Sequence, residues 1–566
     1  MARTWSRSDL VLTLGLLVFV SLASHWVTEN WSFAKYAIAL VSLSCIVATD
    51  SSSSEVAPST VFPGIVMSVT VPAALLHLQN LSTEFPTRSI NASFNLLQIA
   101  ASKELAALPF FICLLTLLFN PQRTSFEKSI FLSAVLALIV YILDLNARWV
   151  LVLTAVCYSI LACISRISAH AYSKFELLLL QFGLGIITEE LLSMHSGATP
   201  DKLFASSTAM HLVSMGILYT ICFGVFMSTI FSSFPALMRT HRTESGALRL
   251  STFTAGIIAS SFLIFVLILL HAMGHYLGVS ALYWVLNLVI VLDREGFKIM
   301  TCLLWCCSIA AAIGIAQRST TSWKWSEVSS RKIFHLFATS MFVPPLLRAE
   351  KDDDISCFVA LAFGVATCVF LLIEFLRAFL NSAKTGQILT FPALDDALSY
   401  FRLFEKHCID KEKSSPTFIL DHITLLLACA LPVWMSTSST FNRNSLPLLP
   451  YLGCLSVGVG DAVGALVGVN YGKVRWSSSS GRTVEGSVAA LCSMLIMGSL
   501  IELYCATEGV KICEILVLVC SALFIALVEA FTSENDNIVL VLFAVTSYQA
   551  LSLWSCEDRG GGKGGG

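Results

Sequence analysis

The chain has 566 residues, of which 56% are hydrophobic and 13% are charged, and its mean hydropathy is +0.78. A soluble globular protein carries about 25% charged residues, so this sequence has too little polar surface to coat a water-soluble particle. The formal net charge of −2 averages over loops on both sides of a membrane and identifies no partner. No basic face or aromatic–basic pattern occurs, which argues against a nucleic-acid partner.

Long apolar runs predict membrane-spanning helices along the whole chain. A spanning helix needs roughly 20 apolar residues, and lipid-exposed backbone must satisfy its own hydrogen bonds, which favours helices. With two weaker stretches at 61–79 and 335–347, the runs predict an all-α polytopic integral membrane protein with roughly 14 to 17 transmembrane helices. The runs are 10–27, 34–48, 106–120, 128–143, 147–164, 176–192, 207–231, 252–278, 280–292, 299–316, 356–380, 417–436, 446–470, 486–504, 510–531 and 537–555.

Composition divides the chain into three predicted regions. Residues 1–320 are predicted to form an N-terminal multi-helix membrane region, because plain apolar runs are joined there mostly by short loops rich in Ser and Thr. Residues 321–556 contain most of the charged and motif-like loops and are predicted to form a second membrane-embedded domain. The Gly-rich residues 557–566 are predicted to be disordered.

The distribution of cations in short loops predicts the orientation in the membrane. Arg3 and Arg7 precede the first apolar run and place the N-terminus in the cytoplasm. Lys473, Arg475 and Arg482 make the 473–485 loop richer in cations than the loops on either side, so this loop is also predicted to be cytoplasmic.

The strongest candidate for a chemical site runs from Gly458 to Gly486, where glycines interrupt an apolar segment that contains Asp461. Glycines let backbone amides approach a phosphate chain, Lys and Arg neutralise its charge, and an acid at membrane depth is usually functional. Asp461 is suited to a magnesium ion that bridges nucleotide phosphates. The residues predicted to bind the nucleotide in this stretch are Gly458, Gly460, Gly464, Gly468, Gly472, Lys473, Arg482, Thr483, Glu485 and Gly486.

Helix packing is the alternative explanation for these glycines. Gly464 and Gly468 also fit the Gly-x-x-x-Gly pattern that lets two membrane helices approach closely. Asp461 and the basic loop that ends in Thr-x-Glu-Gly favour the nucleotide site over packing alone.

At these residues the sequence resembles the dolichol kinase family. The resemblance consists of Gly-x-Gly-Asp-Ala from Gly458, the glycine-spaced segment, Gly472-Lys473, and Arg482-Thr483-x-Glu-Gly. Phytol kinases and a CTP-dependent diacylglycerol kinase share the pattern, and phosphatidate cytidylyltransferases share it more distantly. Arg482 stands where the family more often has lysine, which keeps the charge but changes the donor geometry.

Three further segments fit the same resemblance, in the family's order. Arg331-Lys332-x-x-His335 places two cations before a histidine, an arrangement suited to phosphate contacts or, alternatively, to a positive-inside anchor. His422, followed by a Leu-rich run and Pro-x-Trp, matches a segment diagnostic of dolichol kinases. Glu529 and Asp536 match the family's C-terminal acids, and helix capping is the alternative role for Asp536.

The resemblance implies transfer of the γ-phosphoryl group of CTP to dolichol, which gives dolichyl phosphate for protein glycosylation. Residues 321–556 would then be the CTP-dependent kinase domain of a multi-pass endoplasmic reticulum membrane protein whose nucleotide site faces the cytoplasm. Phosphoryl transfer depends mostly on positioning and charge neutralisation. The metal ligands for Mg²⁺ are expected to be Asp461 and Glu529. Phosphate contacts are expected from Arg331, Lys332, Lys473 and Arg482, with Thr483 and Glu485 ordering the loop, and the base for the alcohol stays open among Asp461, His335, His422 and Asp536.

Three alternatives to a dolichol kinase remain open from the residues. The first is a CTP-dependent kinase of another lipid alcohol, phytol or diacylglycerol. The second is a cytidylyltransferase that forms a CDP-lipid by attack at the α-phosphorus. The third is a transporter or membrane scaffold, which is disfavoured because the sequence has no two related halves with broken helices.

Overall fold

A computed structural model describes residues 203–233, 240–242, 248–250, 252–293, 295–318, 327–350, 352–382, 421–436, 447–476, 481–506, 512–532 and 536–557. The helices predicted between residues 10 and 192, and the Gly-rich residues after 557, lie outside these ranges.

The described residues confirm the all-α prediction, and each predicted run from 207 onward contains a helix. Each run is helical because its backbone groups bond within the segment while its side chains face lipid or other helices. The only strands in the described ranges are a short antiparallel pair, β1 (Thr240–Arg242) and β2 (Leu248–Leu250). The helices are α1 (Ser206–Ser233), α2 (Thr252–Leu277), α3 (Ala281–Leu286), α4 (Phe297–Arg318), α5 (Glu327–Ala349), α6 (Asp353–Ser382), α7 (Asp421–Ser436), α8 (Ala462–Tyr471), α9 (Val484–Cys505), α10 (Ile512–Phe531) and α11 (Asp536–Glu557).

Three shorter helical segments interrupt this series. A π-helical turn, Asn287–Val291, continues α3, and a 3₁₀ turn, Leu449–Tyr451, follows α7 along the chain. A longer π-helical segment, Cys454–Asp461, leads directly into α8 and ends at the acid that the sequence singles out. π-Helical turns are rare in proteins, and those that do occur are often found at functional sites.

Within the described residues, five helices are long and apolar enough to cross a membrane. Their outer surfaces are apolar, as Leu263 and Ile264 on α2 and Ile496 and Leu503 on α9 illustrate, since all four are exposed. Such a surface is stable only against lipid, so the chain is a polytopic membrane protein. The spans are Gly256–Leu277, Asp353–Arg377, Cys454–Tyr471, Val484–Cys505 and Ile512–Phe531.

The described residues fall into two compact units that meet in sequence between Leu427 and Ala428, within α7. The upstream unit contains the described residues up to Leu427, and the downstream unit contains those from Ala428 onward. The functional boundary that the sequence places at residue 321 stays a prediction.

In the upstream unit, α1 and α6 run parallel and pack closely along their length. Gly364 of α6 lies against Val213 of α1, and Gly224 of α1 lies against the ring of Phe375 of α6. The two pairs have the same separation in sequence, which shows that the two helices run in the same direction. Glycines allow this approach because they remove the side chain that otherwise keeps two helix backbones apart.

In the downstream unit, consecutive helices pack antiparallel around the π-helical segment. Gly460 lies against Met494 of α9, while Gly468 lies against Thr483 at the start of α9, which shows that α8 and α9 run in opposite directions. Gly498 of α9 packs on Leu518 of α10. The rings of Phe524 and Phe543, 6.4 Å apart, join α10 to α11.

Candidate functional site

The basic segment between α8 and α9 folds back on itself as a narrow antiparallel loop. The Trp476 amide donates to the Arg482 carbonyl at 3.2 Å, and the Val484 amide donates to the Val474 carbonyl at 2.8 Å. An isolated bridge also pairs Arg475 with Thr483. These bonds fix the two sides of the loop. We refer to these sides, residues 473–476 and 481–484, as the basic hairpin.

Two polar side chains tie the basic hairpin to the start of α9. Thr483 is the N-cap of α9, and its hydroxyl accepts the Gly486 amide at 3.2 Å. Both carboxylate oxygens of Glu485 lie 3.1 Å from the Val474 amide nitrogen and accept its hydrogen. The Thr483 hydroxyl satisfies an amide that α9 leaves without a partner, and Glu485 binds an amide of the hairpin, so together they order the entry to α9.

The glycines of this stretch bring α8 and α9 into close contact. A side chain at Gly464 would meet Ala490, the Glu529 carboxylate and the Gly486 carbonyl at 3.1–3.2 Å. A side chain at Gly468 would likewise meet the Thr483 hydroxyl at 3.0 Å. The structure therefore shows the packing role for these glycines, which the sequence left as the alternative, and their contact with a nucleotide stays a prediction. Gly458, Gly460 and Gly486 are buried, and Gly472 lies against Thr483.

Arg482 is the centre of a charged group in the downstream unit. Its Nη2 atom donates to Asp536 Oδ1 at 2.7 Å, and its Nη1 atom donates to the backbone carbonyl of Glu529. Asp461 and Glu529 also act on Arg482 electrostatically. The arrangement gathers residues from four segments, the π-helical segment, the hairpin and the facing ends of α10 and α11, and we call Asp461, Arg482, Glu529 and Asp536 the Arg482 cluster.

The surroundings of Arg482 favour its charged form. Burial alone would lower the pKa of the guanidinium, but Asp536, Glu529 and Asp461 outweigh that effect and raise the pKa above its ordinary value. The Arg482 and Asp536 side chains are only 28% and 23% exposed, so water screens their attraction less than it would at an open surface. Asp461 itself is 2% exposed.

Lys473 lies in the same hairpin but in a different environment. It is exposed, and its charge acts on Glu485. A long cationic side chain in that position is available to an anion that approaches from water, as the sequence-based assignment to phosphate requires.

The remaining predicted site residues lie in the upstream unit. Lys332 and His335 on α5 are buried, and Arg331 beside them is partly buried. His422, the second residue of α7, is buried with its ring edge-on to Phe370 at 5.3 Å.

The sequence-based predictions do not include two features of functional interest that the structure shows. In the upstream unit, Arg377 forms a buried ion pair with Glu374 at 2.5 Å and acts electrostatically on His422. The signal was an acid and a base three residues apart within the apolar run 356–380, where charge is costly. In the downstream unit, the Trp476 indole nitrogen donates to the Ser487 hydroxyl at 3.0 Å, a contact that no local pattern indicates.

The Arg482 cluster contains ligands of the kind that magnesium prefers. In the described part of the chain, no group of three or more His, Cys, Asp or Glu side chains is close enough to form a complete protein metal site. Magnesium is commonly held by one or two carboxylates together with substrate phosphates and water. The Glu529 carboxylate lies against Gly464, three residues after Asp461, and both acids act on Arg482. Two carboxylates are the number that this mode uses.

The fold and this site define a class of protein: a polytopic membrane protein in which an arginine of a basic hairpin lies within a group of carboxylates. The chain is 31% identical over 263 residues to Dolichol kinase EVAN of Arabidopsis thaliana, a match that covers 46% of this chain and 41% of that protein. It is 29% identical over 235 residues to dolichol kinase of Homo sapiens, which covers 40% and 39% of the two chains. It is 26% identical over 221 residues to dolichol kinase sec59 of Schizosaccharomyces pombe, which covers 39% of each.

Over the matched region the chain is therefore similar to several curated dolichol kinases. The matched part spans about two fifths of the length of these curated relatives. No family model matches the chain, and no solved structure matches it.

Proposed function

We propose that this protein is a dolichol kinase that transfers the γ-phosphoryl group of CTP to dolichol and forms dolichyl phosphate. The observation that carries the proposal is the Arg482 cluster, in which Arg482 of the basic hairpin is bonded to Asp536 and to the Glu529 carbonyl and is acted on electrostatically by Glu529 and Asp461. The names of the relatives support the acceptor, because each is described as a dolichol kinase. The choice of CTP as donor comes from the resemblance of the Gly458–Gly486 segment to CTP-dependent lipid kinases.

Charge neutralisation is the main task of a phosphoryl-transfer site. Lys473, exposed on the hairpin, contacts the donor phosphates as they approach from water. Arg482 is held in place by Asp536 and by the Glu529 carbonyl, so its charge is oriented before the substrate arrives. Such preorganisation avoids reorganisation at the moment of reaction.

Asp461 and Glu529 would hold Mg²⁺ in this proposal. The ion supplies charge neutralisation across the donor phosphates. Asp461 is fixed for this role at the junction of the π-helical segment and α8, where it is buried among packed helices. Asp461, His335, His422 and Asp536 remain the candidates for accepting the proton of the dolichol hydroxyl, and Asp536 is the one whose carboxylate is paired with Arg482.

The acceptor and the location follow from the same proposal. Dolichol is a long polyisoprenoid that reaches the site from the bilayer, against helices whose outer surfaces are apolar. The protein resides in the endoplasmic reticulum membrane with the basic hairpin on the cytoplasmic side, as the cations Lys473, Arg475 and Arg482 favour. The product would serve as the lipid carrier for protein glycosylation.

A labelled-nucleotide assay tests the proposal. Full-length protein in lipid vesicles receives dolichol and CTP that is labelled either in the γ-phosphate or in the cytidine. Label from the γ-phosphate on dolichol is the expected result. Cytidine on the lipid would identify a cytidylyltransferase instead, and transfer to phytol or diacylglycerol but not to dolichol would identify another lipid kinase. No transfer from either label would overturn the enzyme assignment.

A further inference from the structure

Trp476 is the aromatic residue of the basic hairpin, and its position is fixed from two sides. The indole nitrogen donates to the Ser487 hydroxyl at 3.0 Å, and that hydroxyl in turn donates to the Thr483 carbonyl at 3.3 Å. The indole ring also packs on Phe531, with ring centroids 5.3 Å apart and the planes inclined at 58°. An indole held in this way keeps one orientation, although 36% of the residue surface stays exposed.

The same turn of α10 contacts both Trp476 and Arg482. Arg482 donates to the carbonyl of Glu529, and Trp476 packs on Phe531 two residues later. Two residues correspond to about 3 Å along a helix axis. The two residues are also paired directly through their backbones, since the Trp476 amide donates to the Arg482 carbonyl. A rigid aromatic surface therefore lies beside the cation of the Arg482 cluster.

From this juxtaposition we infer that Trp476 stacks on the base of the nucleotide whose phosphates the Arg482 cluster and Lys473 bind. The inference rests on the proposed function and adds the group that recognises the nucleoside half of the donor. Base–aromatic stacking needs an exposed, oriented ring and does not depend on the identity of the base. Trp476 therefore increases affinity for nucleoside triphosphates in general, and selection of cytosine requires other groups.

An interfacial anchor is the alternative role for Trp476. Tryptophan is enriched at membrane–water interfaces, where its ring lies among lipid headgroups. Tyr471, the last residue of α8 and 74% exposed, is an aromatic residue near the same hairpin. It lacks a place in the Arg482 cluster and is the matched control, because loss of an anchor at either position is expected to have the same effect.

The experiment compares a ligand that has a base with one that lacks it. For Trp476→Ala, Trp476→Phe and Tyr471→Ala in full-length protein in vesicles, the KM for CTP and the inhibition constant of inorganic tripolyphosphate are measured. Trp476→Ala is expected to raise the KM for CTP by about tenfold with little change in kcat, and to leave inhibition by tripolyphosphate unchanged. Trp476→Phe, which keeps an aromatic ring, is expected to recover most of the loss, and Tyr471→Ala to behave as wild type.

Three outcomes would overturn the inference. An unchanged KM in Trp476→Ala would exclude stacking, and equal weakening of CTP and tripolyphosphate would indicate a structural role in shaping the hairpin. The same loss in Tyr471→Ala would indicate an interfacial anchor. Failure of the proposed function is distinguishable from these, because wild-type protein would then transfer no phosphoryl group and would bind neither CTP nor tripolyphosphate.

Discussion

Arg482 and Asp536 are joined by a 2.7 Å ion pair, although 54 residues separate them in sequence. The pair links the basic hairpin to the first residue of α11, and the second amino group of Arg482 links it to the end of α10. One guanidinium thus holds three segments of the downstream unit together, through donors fixed in two directions that the ammonium of the lysine more common in the family does not reproduce.

Arg482→Lys and Asp536→Asn are expected to lower activity through the same interaction. Lysine keeps the charge but cannot donate in two fixed directions, and asparagine removes the charge that orients Arg482. Each single change is expected to reduce kcat/KM by about 10- to 100-fold, as for hydrogen bonds to charged groups. The double variant is expected to lose little more than either single variant. Strictly additive losses in this cycle would contradict the coupling.

Asp461→Asn is expected to abolish phosphoryl transfer without affecting membrane insertion. The substitution keeps the shape of a buried side chain but removes the charge that acts on Arg482 and is proposed to hold Mg²⁺. A loss of about 100-fold or more in kcat is expected. The comparison needs equal amounts of protein in the membrane fraction and equal thermal stability, and turnover at the wild-type rate would remove Asp461 from the site.

Removal of Mg²⁺ with a chelator is expected to stop transfer, and added Mg²⁺ to restore it. Glu529→Gln is expected to raise the Mg²⁺ concentration for half-maximal activity by about tenfold or more. The matched control is Glu514→Gln in the first turn of α10, the helix that ends near Glu529. Equal Mg²⁺ dependence in wild type and Glu529→Gln would show that Glu529 is not a ligand.

Gly464→Ala is expected to destabilise the protein, because a methyl group would press on Ala490, Glu529 and Gly486. Overpacking of this kind costs about 1–3 kcal/mol. Gly256→Ala on α2 is the control, because nothing lies within 4 Å of a side chain added there. That variant is expected to gain about 0.5–1 kcal/mol, since alanine favours a helix interior over glycine. Thermal unfolding in lipid measures both, and equal midpoints would refute the close packing of α8 on α9.

Thr483→Ala is expected to loosen the start of α9 by removing the hydroxyl that accepts the Gly486 amide. Loss of an N-cap costs about 1 kcal/mol. Hydrogen exchange of the Gly486 amide should accelerate, whereas Thr483→Ser, which keeps the hydroxyl, should exchange as wild type. Unchanged protection of Gly486 in the alanine variant would mean that the cap does not hold this turn.

The apolar pattern of the sequence was sufficient to predict the helices of the described region. The run 486–504 corresponds to Val484–Cys505, because an apolar segment in lipid must remain helical until polar residues can meet water. The stretch 335–347 is a weaker apolar run that contains two prolines, yet it lies inside the helix Glu327–Ala349. Packing against neighbouring helices provides stability that hydropathy alone does not measure.

The site was only partly predictable. Asp461, Arg482 and Asp536 were each singled out by the local cost of charge or by family resemblance, but their meeting depends on how α8 to α11 pack. The Trp476–Ser487 bond and the Glu374–Arg377 pair were not identified, because each depends on side-chain geometry that a linear pattern does not contain. The glycine pattern in the sequence is compatible both with nucleotide binding and with helix packing, and only contact distances show the packing role.

The π-helical segment Cys454–Asp461 makes this region sensitive to length. If the same number of residues formed an ordinary α-helix, α8 would turn by about 100° relative to the chain before it for each extra residue that the π-helical turns now accommodate. The chain before the segment would then leave its neighbours, or the glycine face of α8 would leave α9, because one rotation cannot satisfy both sides. Loss of the π-helical turns during the divergence of the family is therefore expected to be accompanied by loss of a residue from this segment.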